Sequence, residues 1–179
     1  MTALIIYHTK TGHTRRAAED IAEGLREAGV ESRIVAAREF GGWDVGEEIV
    51  LVGSPCHAGS CHIRGGLSGP VRAVLKRLGA SDLAGKVAGA FAVNCAIGGG
   101  LTVKSIEKAL ARAGARIAEP GVVVRAGVPF SLTTGPMASP DARERLRRFG
   151  GALAQAAAAS PEQAAPQEPS RPTEVTHDA

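Results

Sequence analysis

The stretch Ala3-Leu4-Ile5-Ile6-Tyr7-His8-Thr9-Lys10-Thr11-Gly12-His13-Thr14 decides how the rest of the chain is read. Ala3 to Tyr7 is a short apolar run, suited to a strand buried on both faces. The chain then turns polar through three threonines and a glycine. From Thr14 onward Ala18, Ile21, Ala22, Leu25 and Ala28 recur at helical spacing, and Gly29 supplies a stop. A helix start offers free backbone N–H groups and the positive end of the dipole. Hydroxyls beside it, with a glycine that lets the backbone come close, can hold a phosphate without a charged side chain. Residues 9–14 also read as a capped helix start, with Thr9 or Thr11 as the N-cap.

Working outward, strand and helix signals alternate. Strands are expected over 32–36, 48–53, 87–93 and 121–125, and helices over 69–78, 101–113 and 141–159. Pro70 lies near the first turn of the second helix. Strict alternation with apolar strands implies a parallel sheet covered by helices on both faces. The fold class is therefore α/β, a doubly wound five-stranded parallel sheet. In such sheets ligands bind outside the carboxyl ends of the strands, where the strand order reverses. Residues 1–159 form one domain. Residues 160–179, SPEQAAPQEPSRPTEVTHDA, contain four prolines and almost no large apolar residue, so they read as a disordered tail.

Composition narrows the function. With 179 residues the chain has room for one sizeable core. It has no apolar run long enough to cross a bilayer and no basic leader before its first strand, so no membrane association and a cytoplasmic location are expected. Three cysteines argue against a disulfide scaffold and fit a reducing compartment. Aromatics are 3% of residues, too few for a base-stacking surface, so nucleic acid is not an expected partner. Charge is unevenly spread. Residues 1–159 carry 20 Lys and Arg against 14 Asp and Glu, a net of +6, whereas 160–179 carry one Arg against four acids, a net of −3. The basic part favours anionic partners.

Two further loops follow strands on the same expected edge: Gly53-Ser54-Pro55-Cys56-His57-Ala58-Gly59-Ser60 and Asn94-Cys95-Ala96-Ile97-Gly98-Gly99-Gly100. Together with Thr9-x-Thr11-Gly12-x-Thr14, these resemble the three flavin-binding loops of the flavodoxin family, in the family's order and across about residues 3–155. With no insertion splitting the fifth strand, the chain resembles the short-chain members. The resemblance implies a flavodoxin-like fold, tightly bound non-covalent FMN, and one- or two-electron transfer between redox partner proteins. It implies that Thr9, Lys10, Thr11, Gly12, His13 and Thr14 form the phosphate loop. Ser54, Pro55, Cys56, His57, Ala58 and Gly59 would line one side of the ring, and Asn94, Cys95, Gly98 and Gly99 the other. Gly59 matches the residue that lets a peptide turn its carbonyl toward flavin N5 on reduction.

This sequence departs from the family in two ways. The ring-lining stretches hold no Trp or Tyr, which leaves one face open to a small acceptor such as a quinone. The basic charge also differs from the acidic family norm, and it disfavours docking to a basic reductase. An FMN-dependent NAD(P)H:quinone-type oxidoreductase is therefore the alternative function, and a binding module that has lost FMN is a third. No residue stands out as catalytic. Cys56, His57, Cys61, His62 and Cys95 gather on this edge, but Cys56-His57-x-x-x-Cys61-His62 matches no standard zinc or cluster spacing, so no metal site is assigned. Arg143, Arg145, Arg147 and Arg148 read as a solvated helix face, Glu19, Asp20 and Glu23 as another, and Trp43 as packing under a loop.

Overall fold

Leu4 and Ile5 are both fully buried, which successive strand residues achieve only when both faces of their sheet are covered. The computed structural model, which describes residues 1–56, 66–94, 98–126 and 141–159, shows how this comes about. In chain order the elements are β1 (Thr2–Tyr7), α1 (His13–Glu27), β2 (Glu31–Ala36), β3 (Ile49–Cys56), α2 (Gly69–Lys76), β4 (Val87–Asn94), α3 (Gly99–Arg112), β5 (Arg116–Ile117), β6 (Val122–Arg125) and α4 (Ala142–Ala158). The strands lie in the order β2-β1-β3-β4, with β5 and β6 both beside β4, and every pairing is parallel. This is the expected doubly wound sheet.

Two details differ from the sequence reading. The fifth position is filled by two short segments, so five positions hold six strand segments. β5 pairs with Val87 and Ala88, and β6 with Phe91 to Asn94. In the four-residue gap between them, Glu107 of α3 accepts the Gly121 N–H at 2.8 Å, replacing a ladder bond. A Cβ at Gly121 would lie 2.6 Å from the Ala90 carbonyl oxygen, so the chain passes closer there than a side chain allows. The third strand also runs on to Cys56, past the expected end at Gly53. Gly53-Ser54-Pro55-Cys56 reads like a turn, yet it pairs in register with Phe91-Ala92-Val93-Asn94. Tertiary pairing overrides the local turn signal.

Alternation along the strands builds two cores. Ala3, Ile5, Ile49, Leu51, Val87 and Phe91 face α1 and α4, where they meet Ile21, Leu25, Leu146 and Leu153. Leu4, Ile6, Val50, Val52, Ala88 and Ala90 face α2 and α3, where they meet Val71, Val74, Ile106 and Leu110. On this second side Trp43 is buried as expected. Its indole N–H donates to the Val74 carbonyl at 2.9 Å, and Phe40 meets its ring edge-on at 4.9 Å.

The contact between α1 and α4 depends on glycine. A Cβ on Gly24 would stand 1.9 Å from the Arg147 carbonyl oxygen, and one on Gly150 would stand 2.4 Å from that of Ile21. The close approach lets ion pairs form across the seam. Arg143 reaches Asp20 at 3.5 Å and Glu23 at 2.8 Å, and Arg147 bonds Glu27. The arginine and carboxylate rows that read as separate solvated faces are therefore partners. The Arg143 hydrogen bond holds the Glu23 carboxyl below its ordinary range. Asp20 is raised instead, because its burial outweighs the opposing pull of Arg143.

Gly24→Ala is therefore expected to lower stability by at least about 2 kcal/mol, because the new methyl meets backbone that cannot rotate away. Gly151→Ala is its control. There the nearest atom would be 3.9 Å from the added Cβ, so the change should be neutral or slightly stabilising through helix propensity. Urea midpoints of the two variants check the contrast.

Candidate functional site

Parallel pairing sends β1, β3 and β4 to the same edge. Tyr7 stands opposite Gly53, and Cys56 opposite Asn94, so the three loops that follow leave from adjacent strands. The His8 N–H donates to the Gly53 carbonyl at 3.2 Å, which carries the first loop out alongside β3.

In the first loop the Thr9 hydroxyl accepts the Gly12 N–H at 2.9 Å and closes a tight turn. Gly12 then caps α1 from the left-handed region, at φ 88°. A glycine fits here because any other residue would be strained at that φ. No side chain caps the helix, and its first turn holds no carboxylate. Of the two sequence readings for Thr9, hydroxyl capping of the helix is therefore not the one observed. Thr9 and Thr11 are half-buried, Lys10 is exposed, and His13 and Thr14 are buried at the helix start.

The second loop leaves from Ser54, Pro55 and Cys56, all buried within β3. The Ser54 hydroxyl accepts the Ser68 N–H at 3.0 Å and lies 3.3 Å from the Ser68 hydroxyl and 3.0 Å from the Pro55 carbonyl. Ser68 precedes α2, so this cluster pins both ends of the segment between β3 and α2. Ser68 was not picked out from sequence, although a serine directly before Gly69-Pro70 is a helix-start signal. Cys56 is disulfide-bonded, contrary to the reduced state expected from cysteine count. The chain's other cysteines, Cys61 and Cys95, lie outside the described residues, as do His57, Ala58, Gly59 and His62. Among the described residues, no three His, Cys, Asp or Glu side chains gather as a metal site.

The third loop leaves from Asn94, which is 5% exposed. Its carbonyl accepts the Ala126 N–H at 2.9 Å, while its side-chain Oδ1 has no hydrogen-bond partner among the described residues. A buried amide oxygen in this state needs a donor from outside the described set. Gly98 repeats the role of Gly12: it caps α3 at φ 91°, again with no side-chain cap and no acid in the first turn. A Cβ on Gly99 would stand 2.4 Å from Val123, so this turn too runs closer than a side chain permits.

Two uncapped helix starts thus share one edge, with a buried acceptor beside the second of them. Such an arrangement attracts an anionic group and offers a carbonyl oxygen to a neighbouring N–H. The described members of the three sequence-assigned sets come together on this edge: Thr9, Lys10, Thr11, Gly12, His13 and Thr14; Ser54, Pro55 and Cys56; and Asn94, Gly98 and Gly99. Of these, Ser54 is fully buried in the Ser68 cluster and holds the loop from behind.

No curated protein sequence matches the chain. Solved structures do. An oxidised flavodoxin 1 from Bacillus cereus is 18% identical with a TM-score of 0.70, covering 87% of this chain and 98% of that one. A short-chain flavodoxin associated with a PDU bacterial microcompartment is 21% identical with a TM-score of 0.72, covering 88% and 99%. A flavodoxin, WrbA-like protein from Agrobacterium tumefaciens is 19% identical with a TM-score of 0.64, covering 89% and 98%. At these identities the likeness is one of fold. The family model for flavodoxin matches residues 5–129, a span that contains all three loops of the carboxyl edge. With a fifth strand interrupted by only four residues, the chain belongs to the flavodoxin family in its short-chain form.

Proposed function

We propose that the carboxyl-edge site binds FMN non-covalently and that the protein passes electrons between redox partners. The observation that carries this reading is the start of α1, which has no side-chain cap, no acid in its first turn and a glycine at φ 88° beneath it. Those features suit a phosphate dianion and would be poor choices for an ordinary exposed helix end. Thr9, Thr11, Gly12, His13 and Thr14 would hold the phosphate, with Lys10 adding charge from the rim. Pro55 and Cys56 would border one side of the ring; Asn94, Gly98 and Gly99 would border the other. The Oδ1 of Asn94, without a partner among the described residues, suits a ring that carries an N–H donor. His57, Ala58, Gly59 and Cys95 complete the assignment from outside the described residues. FMN, when bound, supplies one- and two-electron transfer, while the protein sets its potential and access.

Partner choice follows from charge. A core of net +6 repels a basic reductase and favours a donor or acceptor with an acidic face. The second reading, reduction of a quinone-type acceptor by NAD(P)H, rests on the absence of aromatics among the described ring-side residues Pro55, Cys56, Asn94, Gly98 and Gly99. NAD(P)H consumption with a quinone separates the two, and a colourless purified protein would refute both. Among the described residues, no helix is long and apolar enough to cross a membrane.

Replacing Thr11 and Thr14 together with alanine should weaken FMN binding by at least about 100-fold, because each charge-assisted hydrogen bond contributes roughly 1.5–3 kcal/mol. Riboflavin, which lacks the phosphate, should bind both forms alike. Fluorescence titration with the two flavins measures the difference, and equal FMN affinities would remove the phosphate-loop assignment.

The second electron adds negative charge to the ring. Acidic surroundings oppose that step, and a basic core does not. The potential of this step should therefore be less negative than in acidic flavodoxins, and the gap should narrow at high salt as the surface field is screened. Potentiometric titration at low and high salt decides it; a very negative, salt-insensitive value would refute the electrostatic argument.

A further inference from the structure

Between α2 and α3, on the face away from the α1–α4 seam, runs a groove of about 340 Å³. Arg72 and Lys76 line it from one helix and Lys108 and Arg112 from the other, with Ser105 at its wall. Among the described residues, no carboxylate lines it. Arg72 donates to the Leu67 carbonyl at 3.3 Å, but none of the four cations forms an ion pair among the described residues. The α4 arginines are the contrast, since all four of them meet carboxylates. A row of four unmatched cations raises a strong local potential that an anionic chain would relieve.

The sequence holds one set of acids that the described structure does not place. Fourteen of the eighteen Asp and Glu lie among the described residues, and the other four are Glu162, Glu168, Glu174 and Asp178. All four follow α4. We propose that the acidic segment 160–179 docks in cis on the basic groove between α2 and α3.

Reach supports this occupant. The Arg116 guanidinium donates to the Ala156 carbonyl at 2.7 Å, so α3, which ends four residues before Arg116, and α4 finish at the same edge of the sheet. The sheet separates them, a distance of about two layer spacings, ~20 Å. The nine residue-to-residue steps from Ala159 to Glu168 extend to at most ~30 Å, which spans that gap. Tethering raises the local concentration of the segment to the millimolar range, so even a contact with a millimolar dissociation constant is about half formed. The inference does not depend on flavin binding.

The test uses the full chain in three forms: wild type; a neutral tail carrying Glu162→Gln, Glu168→Gln, Glu174→Gln and Asp178→Asn; and a reversed groove carrying Lys108→Glu and Arg112→Glu. Lys108 and Arg112 are exposed, and the four acids lie beyond the last helix, so neither variant disturbs the core. At low salt, amide NMR signals of 160–179 should differ between wild type and the reversed groove. The difference should vanish at about 0.5 M salt, where the screening length is only a few ångströms. A fluorescent ten-residue polyglutamate should bind the neutral-tail form about three- to ten-fold more tightly than wild type, because no tethered competitor remains. Tail signals identical in wild type and reversed groove would overturn the proposal. So would equal polyglutamate affinity, which would mean that the groove stands open to acidic partners. Signal differences that disappear on dilution would place the tail of a second copy there, and would overturn docking in cis.

Discussion

Parallel hydrogen bonding between every pair of neighbouring strands is the constraint on which the rest of this molecule depends. A parallel neighbour cannot be reached by a tight turn, so the chain crosses a face of the sheet each time. The crossovers bury both faces and drive the strands toward unbroken apolar runs such as Ile49-Val50-Leu51-Val52. They also sort the loops. Every strand-to-helix loop leaves at the carboxyl edge, and the helices that follow begin there with their positive ends. The site is thus a by-product of topology. Gly12 and Gly98 then adapt two of those helix starts by occupying a backbone region other residues avoid.

The architecture was legible because the periodicities are clean and the strands are short and apolar. The sequence also placed threonines, glycines and an asparagine directly after strands, and parallel pairing brings the described ones to one edge. What it hid was mostly long-range. Gly53-Ser54-Pro55-Cys56 looks like a turn in isolation and becomes strand only because β4 offers it four partners in register. Arg143 and Glu23 are 120 residues apart, so no local pattern announces their bond; only the glycine seam brings α1 and α4 near enough. The short β5 escaped notice because two paired residues carry no period. The Cys56 disulfide escaped because cysteine count speaks to compartment and scaffold, and says little about a single bridge.

Rigidity at the edge comes from behind the loops. Ser54 is fully buried and joins the end of β3 to the residue before α2. Phe91 fills the space over Gly53, where a Cβ would be 2.1 Å from its ring, so the strand pair is locked just below the site. Gly89 plays the matching part further down, making room for Phe149 and Leu153 of α4. Small residues in β3 and β4 thus receive large ones from the neighbouring strand and helix. That interdigitation fixes the height at which Cys56 and Asn94 emerge. If the edge holds a flavin as proposed, its dipoles need to be held in this way, because a donor free to rotate would follow the charge instead of shaping it.

Charge organises the surface in a way the fold does not require. On the α1–α4 face cations and anions are matched one against another, and such exposed pairs contribute little stability each. On the α2–α3 face the cations have no ion-pair partner among the described residues. Since pairing was available to the sequence on one side, its absence on the other is not a consequence of a general shortage of acids: fourteen carboxylates lie on the described part and none is placed here. Four cations gathered in one groove act on a partner over a Debye length, whereas matched pairs largely cancel. The α2–α3 face therefore carries a field with a definite side to it, which docking of the acidic segment 160–179, as proposed, would offset. The asymmetry between the two faces holds independently of what the carboxyl edge binds.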